Sequence, residues 1–344
     1  MDLDTLRLEI NEIDEQIIKL FCRRMEIVEQ VADYKIRHGL PIYHPDREQQ
    51  VIERVSQKAG PRLADSAKVL YTTMMDVSKS LQHKLVAQST EEMSLCDKLM
   101  DAAQSSPSGL PSHAQVACQG VEGAYSFEAC RKLFAHPELS FFPSFEGVFE
   151  AVDSGRCEYG VVPIENSSAG SVTAVYDLMR KYNLFIVKGV KLKIDHCLLA
   201  KSNLPLEEIT DLYSHEQAIH QCAQFLKEHP HIRVHVYSNT AAAAKMVSES
   251  ENPHVAAIAS RACADLYGLQ VIREHLQFSQ VNFTRFICIS KRAMILEHAD
   301  KVSISLRLPH VTGSLYQMIT RFAVNRLNLT KLESLPLADT DFEF

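Results

Sequence analysis

The chain has 344 residues, 46% of them hydrophobic and 23% charged, which is enough for sizeable cores and too long for one ordinary domain, so two or three domains are expected. Lys and Arg total 36 against 43 Asp and Glu, a net charge of −7, leaving no broad basic surface for a nucleic-acid backbone, and nucleic acid is not an expected partner. No stretch approaches the roughly 20 apolar residues of a membrane span, and MDLDTLRLEI is acidic and periodic where a signal peptide is basic and then apolar, so a cytoplasmic protein with no membrane partner is expected. The 9 cysteines are scattered without a C-x-x-C pair and read as free thiols of a reducing compartment.

Residues 1–104 show no strand-like alternation and carry only Gly39, Gly60, Pro41, Pro45 and Pro61 as breakers. Leu3, Leu6, Ile10, Ile13, Ile17, Leu20, Met25, Val28 and Val31 recur mostly at spacings of three and four, which predicts one helix from about 2 to 38. Nothing within the segment covers so long a stripe, so partner helices or a partner subunit are required. A second helix is predicted from Asp46 to near Gly60 and a third from about Leu63 to Ala103. SSPSGLPS (105–112) breaks all periodicity, and 105–113 reads as a linker. From 114 to 292, apolar runs such as AQVACQG, YGVVPIE, LFIVKGVKL, RVHVYSN, HVAAIAS and TRFICIS alternate with helical segments, the pattern of a two-lobed α/β region with a largely parallel or mixed sheet. A third unit, 301–344, reads as strand KVSISLRL, helix TGSLYQMITRFAV and strand LTKLESLP.

On the first helix Arg24 and Lys35 lie about 20° apart around the axis and about 16 Å along it, so their long side chains can converge on one small ligand. Arg7 lies about 25 Å from Arg24 and reaches the same ligand only from an antiparallel second subunit. Glu48 belongs to helix two, and Ser78 and Gln82 share a face of helix three. From spacing alone, cations on a solvated face are the commoner reading. The runs LRLEINEID, LFCRRMEIVEQVADYK and GLPIYHPDREQQVIERV, however, resemble the all-helical class of chorismate mutase over residues 1–90. The resemblance implies an intertwined long-helix dimer that rearranges chorismate to prephenate without cofactor or metal. Arg24 and the second subunit's Arg7 would clamp carboxylates, Lys35 and Gln82 donate to the ether oxygen, and Glu48 accept from the substrate hydroxyl, with Ser78 in the binding site. His44 stands where the family often carries Asp or Asn, so altered pH dependence or weaker binding is expected there.

The α/β region has no G-x-G-x-x-G or G-x-x-x-x-G-K-[ST] loop, and the histidines of HEQAIH (215–220) are five apart, off a shared helix face, so neither a nucleotide nor a metal is expected. VVPIENSSAGSV sets Glu165, Asn166, Ser167 and Ser168 between a strand and a helix, where the backbone holds an anion or the side chains merely cap the helix. GVEGAYSFEA, VVPIENSSAGSV, YSHEQAIHQC, SNTAAAAK, AAIASRACADLYGL and NFTRFICIS together resemble prephenate dehydratase over about 114–292. That resemblance implies a cleft between two lobes, Thr284 at the centre of catalysis, and Glu165, Asn166, Ser167, Ser214 and Gln221 around the substrate, with His215 and Ser126 as positioning groups. Strand alternation puts Asn282 and Thr284 on one face and Arg285 on the other, paired with a carboxylate.

Residues 301–344 resemble the start of an ACT domain, the phenylalanine-binding regulatory module of bifunctional chorismate mutase/prephenate dehydratase. Gly313-Ser314-Leu315-Tyr316 and Glu333-Ser334-Leu335-Pro336 stand at its two pocket motifs, with Leu335 in place of the family's arginine. The segment falls short of a βαββαβ module and would leave an open sheet edge. Phenylalanine inhibition is therefore expected to be weak, altered or absent. The reading is a multidomain enzyme of phenylalanine biosynthesis, at least a homodimer, that turns chorismate into prephenate and then phenylpyruvate. Two alternatives stand beside it: a dehydratase whose helical domain only dimerises, and a catalytically silent aromatic-metabolite sensor.

Overall fold

A computed structural model describes residues 2–88, 95–105, 107–278, 281–310 and 312–335. The chain divides into two units, residues 1–95 with 306–344 and residues 96–305.

The first unit is built on α1 (Leu3–His38) and α2 (Pro45–Gln88). Asp2 caps α1, accepting from Thr5 N at 2.8 Å, and Gly39 closes it in the left-handed conformation (φ 63°), which only a residue without Cβ adopts at little cost. Inside α2, Gly60 is non-helical (φ 71°, ψ 168°) and directly precedes Pro61. Proline lacks the N–H for the helical ladder and pushes the preceding residue out of the α region. The two limbs on either side of this break are the predicted second and third helices. The predicted run to Ala103 is helical to Gln88 and again in α3 (Leu95–Gln104); residues 89–94 lie outside the described residues.

The second unit holds two mixed sheets. The first runs β2 (His136–Phe142), β1 (His113–Gln119), β3 (Tyr159–Asn166), β11 (Phe283–Ser290), β5 (Phe185–Lys193), with the short β4 (Gly170–Ser171) on β3. The second runs β10 (Gln270–Arg273), β6 (Cys197–Ala200), β9 (Val255–Ala259), β7 (Asp211–Ser214), β8 (Arg233–Val236). Helices α4 (Tyr125–Leu133), α5 (Phe145–Asp153) and α6 (Thr173–Lys181) belong to the first lobe; α7 (Glu216–Gln221), α8 (Ala223–Glu228), α9 (Thr240–Glu249) and α10 (Arg261–Tyr267) belong to the second. Each sheet is buried on both faces, which is why its strands read as apolar runs rather than clean alternations. Every residue of β9, VAAIA, is buried, and its Ala257 and Ala259 pack in one cluster with Ala241, Ala243 and Ala244 of α9, a contact of small residues that lets helix and sheet approach closely. In the first lobe a Cβ on Gly160 would come within 2.9 Å of Val148 and 3.0 Å of Val152, so α5 sits closer on β3 than any larger residue permits.

The chain passes between the two sheets twice, through residues 194–196 and again through 274–282. The two passages are bonded to each other: Ile194 N donates to Asn282 O at 2.8 Å and Leu276 N to His196 O at 3.0 Å.

In the C-terminal segment the predicted helix is α11 (Ser314–Val324). The predicted strands around it are not found: 301–308 and 329–335 form no ladder among the described residues, and Pro336 lies outside them. Alternation needs a neighbouring strand before it becomes a strand, and Val302 and Ile304 stay 75% and 54% exposed.

Candidate functional site

In the helical unit, α1 and both limbs of α2 contribute to one polar cluster. Arg24 of α1 donates through Nη1 to Ser78 Oγ, which in turn donates to Met74 O at 2.7 Å. Ser78 and Gln82, one turn apart, are both buried, and Gln82 Nε2 donates to Ser78 O at 3.3 Å. Gln82 Oε1 is buried without a hydrogen-bond partner, a polar atom that calls for a donor. Lys35 Nζ donates to Ile42 O at 2.6 Å; burial pulls its pKa down and the charge of Glu48 opposes that. Burial also lowers Arg24, which stays a cation at any working pH. Arg7 is not in this cluster: it is exposed and pairs with Asp4 at 3.3 Å. His44 is exposed, and its carbonyl accepts from Glu48 N at 3.2 Å, so its backbone opens α2.

One residue of the cluster was not legible in the sequence. Lys79 Nζ lies 3.0 Å from Glu48 Oε2 and 3.1 Å from Asp76 Oδ1. Burial works against its charge, but the bonds to Glu48 and Asp76 outweigh that and raise its pKa. Glu48 is thus paired with Lys79 and also feels the charge of Lys35.

In the α/β unit the predicted residues gather where the two passages meet the first sheet. β3 and β11 pair antiparallel with Thr284 opposite Asn166 and Arg285 opposite Glu165. Asn166 Oδ1 accepts from the backbone N–H of Ser168 and Ala169, both at 2.9 Å. Those amides therefore serve the turn between β3 and β4, and the residues do not cap α6, whose N-cap is Val172 with no side-chain cap bond. Two backbone donors on one atom identify it as the oxygen, so the other end of the amide is Nδ2, and it donates to Asn282 Oδ1 and Thr284 Oγ1, both at 2.9 Å. With a lone pair so occupied, the Thr284 hydroxyl keeps its own proton for donation. Asn282 Nδ2 continues to Gln221 Oε1 at 2.9 Å, and that oxygen also lies 2.8 Å from His196 Nε2. Gln221, at the end of α7, lines a cavity of about 480 Å³ together with Ser168, Ala169, His215 and His220. His196 is buried, its pKa lowered by that burial. Nothing in the local sequence around His196 announced its place, because its partners lie 25 and 71 residues away.

Three expected substrate contacts are placed elsewhere. Glu165 lies 3.8 Å from Arg285, on the face opposite Thr284, as alternation along β3 demands, so Arg285 has the structural carboxylate partner expected for it. Ser214 is fully buried and donates to Ile258 O at 2.7 Å, tying β7 to β9. Ser167 Oγ donates to Val281 O at 3.1 Å and accepts from Phe283 N at 2.9 Å, latching β3 to the start of β11. Neighbouring His215 caps α7, its Nδ1 accepting from Gln217 N at 3.3 Å. Of the C-terminal residues, Gly313 (φ 90°) precedes α11, Ser314 begins it, Leu315 is exposed, and Glu333 pairs with Lys331 at 3.0 Å; Ser334 lies beyond in the unpaired segment.

Comparison with known proteins agrees with this division. Residues 6–83 match the family chorismate mutase type II, and residues 116–294 match the family prephenate dehydratase. The bifunctional chorismate mutase/prephenate dehydratase of Escherichia coli K12 is 31% identical over 98% of this chain and 86% of its own length. Arogenate dehydratase/prephenate dehydratase 2 of Arabidopsis thaliana is 38% identical over 66% of this chain and 60% of its own length. The crystal structure of prephenate dehydratase from Arthrobacter aurescens in complex with L-Phe superposes with a TM-score of 0.58 at 27% identity, covering 64% of this chain and 76% of that one. With both enzymatic regions matched in order and a relative aligned along nearly the whole chain, this protein belongs to the bifunctional chorismate mutase/prephenate dehydratase family.

Proposed function

We propose that residues 1–104 rearrange chorismate to prephenate and residues 114–292 convert prephenate to phenylpyruvate, on the route to phenylalanine. The rearrangement is pericyclic: one C–O bond breaks as one C–C bond forms, and no group is transferred to the protein. Catalysis then consists of fixing the reactive conformer and stabilising charge on the departing ether oxygen. Arg24, set by Ser78, clamps a substrate carboxylate, and Lys35 and Gln82 face the ether oxygen. Glu48 accepts from the substrate hydroxyl, and Lys79 holds that carboxylate in place while offsetting its charge toward a dianionic substrate. The observation that carries the mutase reading is one buried cluster in which Arg24 donates to Ser78 Oγ and Gln82 Nε2 to Ser78 O.

In the second reaction the C–CO₂ bond of prephenate breaks, its electron pair completes the aromatic ring, and the ring hydroxyl departs. Hydroxide is a poor leaving group, so a proton delivered as it leaves is the main requirement. Thr284 supplies it, because Asn166 occupies the threonine oxygen as a donor and leaves the hydroxyl proton directed to the substrate. Given chorismate alone, with no metal or nucleotide, the purified protein is expected to release phenylpyruvate with prephenate as a transient. Prephenate accumulating without phenylpyruvate overturns the dehydratase reading; prephenate consumed while chorismate persists overturns the mutase reading.

The protein is at least a homodimer. Along α1 only Ala32 is buried, while Ile10, Ile13, Ile17 and Leu20 are all more than half exposed, a stripe that a second antiparallel copy of α1 covers. Such a copy carries its Arg7 to the Arg24 cluster. Light scattering is expected to give at least twice the chain mass, and an Arg7→Ala variant to lose mutase activity while retaining dehydratase activity; a monomeric, fully active mutase overturns this. The C-terminal segment, with α11 following Gly313, is the opening of an ACT-type module. Leu335 brings no guanidinium to an amino-acid carboxylate, so phenylalanine is expected to inhibit weakly or not at all. Among the described residues no helix is long and apolar enough to cross a membrane, and seven of the nine cysteines are buried free thiols, which supports a cytoplasmic enzyme.

A further inference from the structure

We infer that His196 is a positioning residue of the dehydratase: as a neutral imidazole protonated on Nε2, it holds Gln221 with its amide oxygen inward and its amide nitrogen toward the cleft cavity. The inference rests on the reading of Thr284 and Gln221 as the substrate-facing groups, and it follows from accounting for every proton in one network.

The polarity of that network is set at one end by backbone. Because Ser168 N and Ala169 N both donate to Asn166 Oδ1, the Asn166 nitrogen spends its two protons on Asn282 Oδ1 and Thr284 Oγ1. Asn282, fully buried, must then turn its nitrogen to Gln221 Oε1. That oxygen is an acceptor already, so the imidazole atom 2.8 Å away, His196 Nε2, has to be the donor. The other ring nitrogen becomes the acceptor. Tyr125 OH lies 3.4 Å from it and donates to Asp195 O at 2.9 Å, so the contact at this nitrogen is the longer and weaker one and the tautomer is set at Nε2. Burial disfavours the imidazolium and keeps the ring neutral.

Two donors, Asn282 Nδ2 and His196 Nε2, therefore converge on Gln221 Oε1. Rotating that amide by 180° would set its NH₂ against both, leaving two buried donors without an acceptor. Gln221 is locked, and its NH₂ is the half presented to the cavity it lines. A carboxylate or keto oxygen of the substrate is what such a donor binds. His196 reaches this position because it sits in the first passage between the sheets, where its backbone is fixed by Gln277 Oε1, which accepts from His196 N at 2.8 Å. Asn282 and Asn166 link Gln221 of the second lobe to Thr284 of the first, and the histidine fixes the Gln221 end of that chain without touching substrate.

The test uses the full chain, whose mutase activity serves as an internal control. His196→Phe is expected to raise the KM for prephenate about tenfold with a smaller fall in kcat, while chorismate consumption is unchanged. His196→Gln, whose amide nitrogen reproduces the Nε2 donor, is expected to restore KM to within about threefold. A KM within about twofold of the parent in the Phe variant, or a folded Gln variant no better than Phe, overturns the proposal. Should the Phe variant fail to fold, nitrogen-15 spectra of the parent decide: an Nε2–H neutral ring is expected, and an Nδ1–H tautomer or an imidazolium at neutral pH overturns it. If Thr284→Val leaves dehydratase activity intact, the underlying site reading has failed; if Thr284→Val abolishes it and His196→Phe does not matter, only this inference has.

Discussion

Thr284→Val is expected to lower prephenate turnover by about 10²- to 10⁴-fold, the range of a lost general acid, while chorismate consumption stays at the parental rate. Valine keeps the volume and branching of threonine on β11, so the strand and its pairing with β3 are retained. Two things are lost with the hydroxyl: the proton for the departing ring oxygen, and the acceptor for the second proton of Asn166 Nδ2. The second loss leaves a buried donor unpaired and costs on the order of 1–3 kcal/mol of stability, visible as a lowered Tm. Thr284→Ser separates the two, because it restores both functions at the cost of one methyl; most of the activity is expected to return. Phenylpyruvate formation followed from prephenate measures the effect. A Val variant within tenfold of the parent would sink the assignment of Thr284 as proton donor.

Arg24→Ala is expected to have the complementary outcome. Removing a charged donor aimed at a substrate carboxylate costs about 10²-fold or more in the mutase step and leaves prephenate turnover intact. Arg24→Lys is expected to recover little, since an ammonium cannot reproduce the two-pronged hydrogen bonding of a guanidinium. Structural damage is limited, because Ser78 Oγ still donates to Met74 O. Progress curves from chorismate alone show a lag and low flux, and added prephenate relieves both. Survival of mutase activity in the alanine variant would mean that the substrate binds away from the α1–α2 cluster.

The helical unit was the most legible part of the chain, since one long 3.6-residue period with breakers at its ends specifies length and limits together. The stripe from 2 to 38 became Leu3–His38, and Gly60 before Pro61 marked the break in α2. Most strands of the α/β region were also legible, including both members of the Asn166–Thr284 pair and the four-residue β8, whereas the seven-residue β2 (HPELSFF) was not read. Short ones such as β6 (CLLA), β7 (DLYS) and β10 (QVIR) carry too few residues for a period to emerge. Alternation correctly separated Thr284 from Arg285, yet the same rule applied to β3 would have separated Glu165 from Asn166; the motif resemblance grouped them and the pairing to Arg285 divides them. Lys79 and His196 were invisible for a different reason. Each matters only through a partner far along the chain, and a contact between residues 196 and 221, or 48 and 79, leaves no trace in local spacing. At 301–308 the pattern of a half-buried strand is present, but nothing described lies alongside to bury it.

The order of strands in the first sheet has a consequence for synthesis on the ribosome. β11 lies between β3 and β5, while the whole second sheet is encoded before it. Strands β3 and β5 leave the ribosome with their facing edges bare, and remain so until roughly 90 more residues have been added, on the order of ten seconds at ordinary elongation rates. The inserted lobe, by contrast, has all its strands within 197–273 and is free to close on itself during that interval. The nascent first lobe is therefore the stage most exposed to edge-to-edge aggregation and to chaperone capture. A slow codon run that halts synthesis while β11 is still inside the ribosome would prolong that stage, whereas one met after β11 has emerged would not.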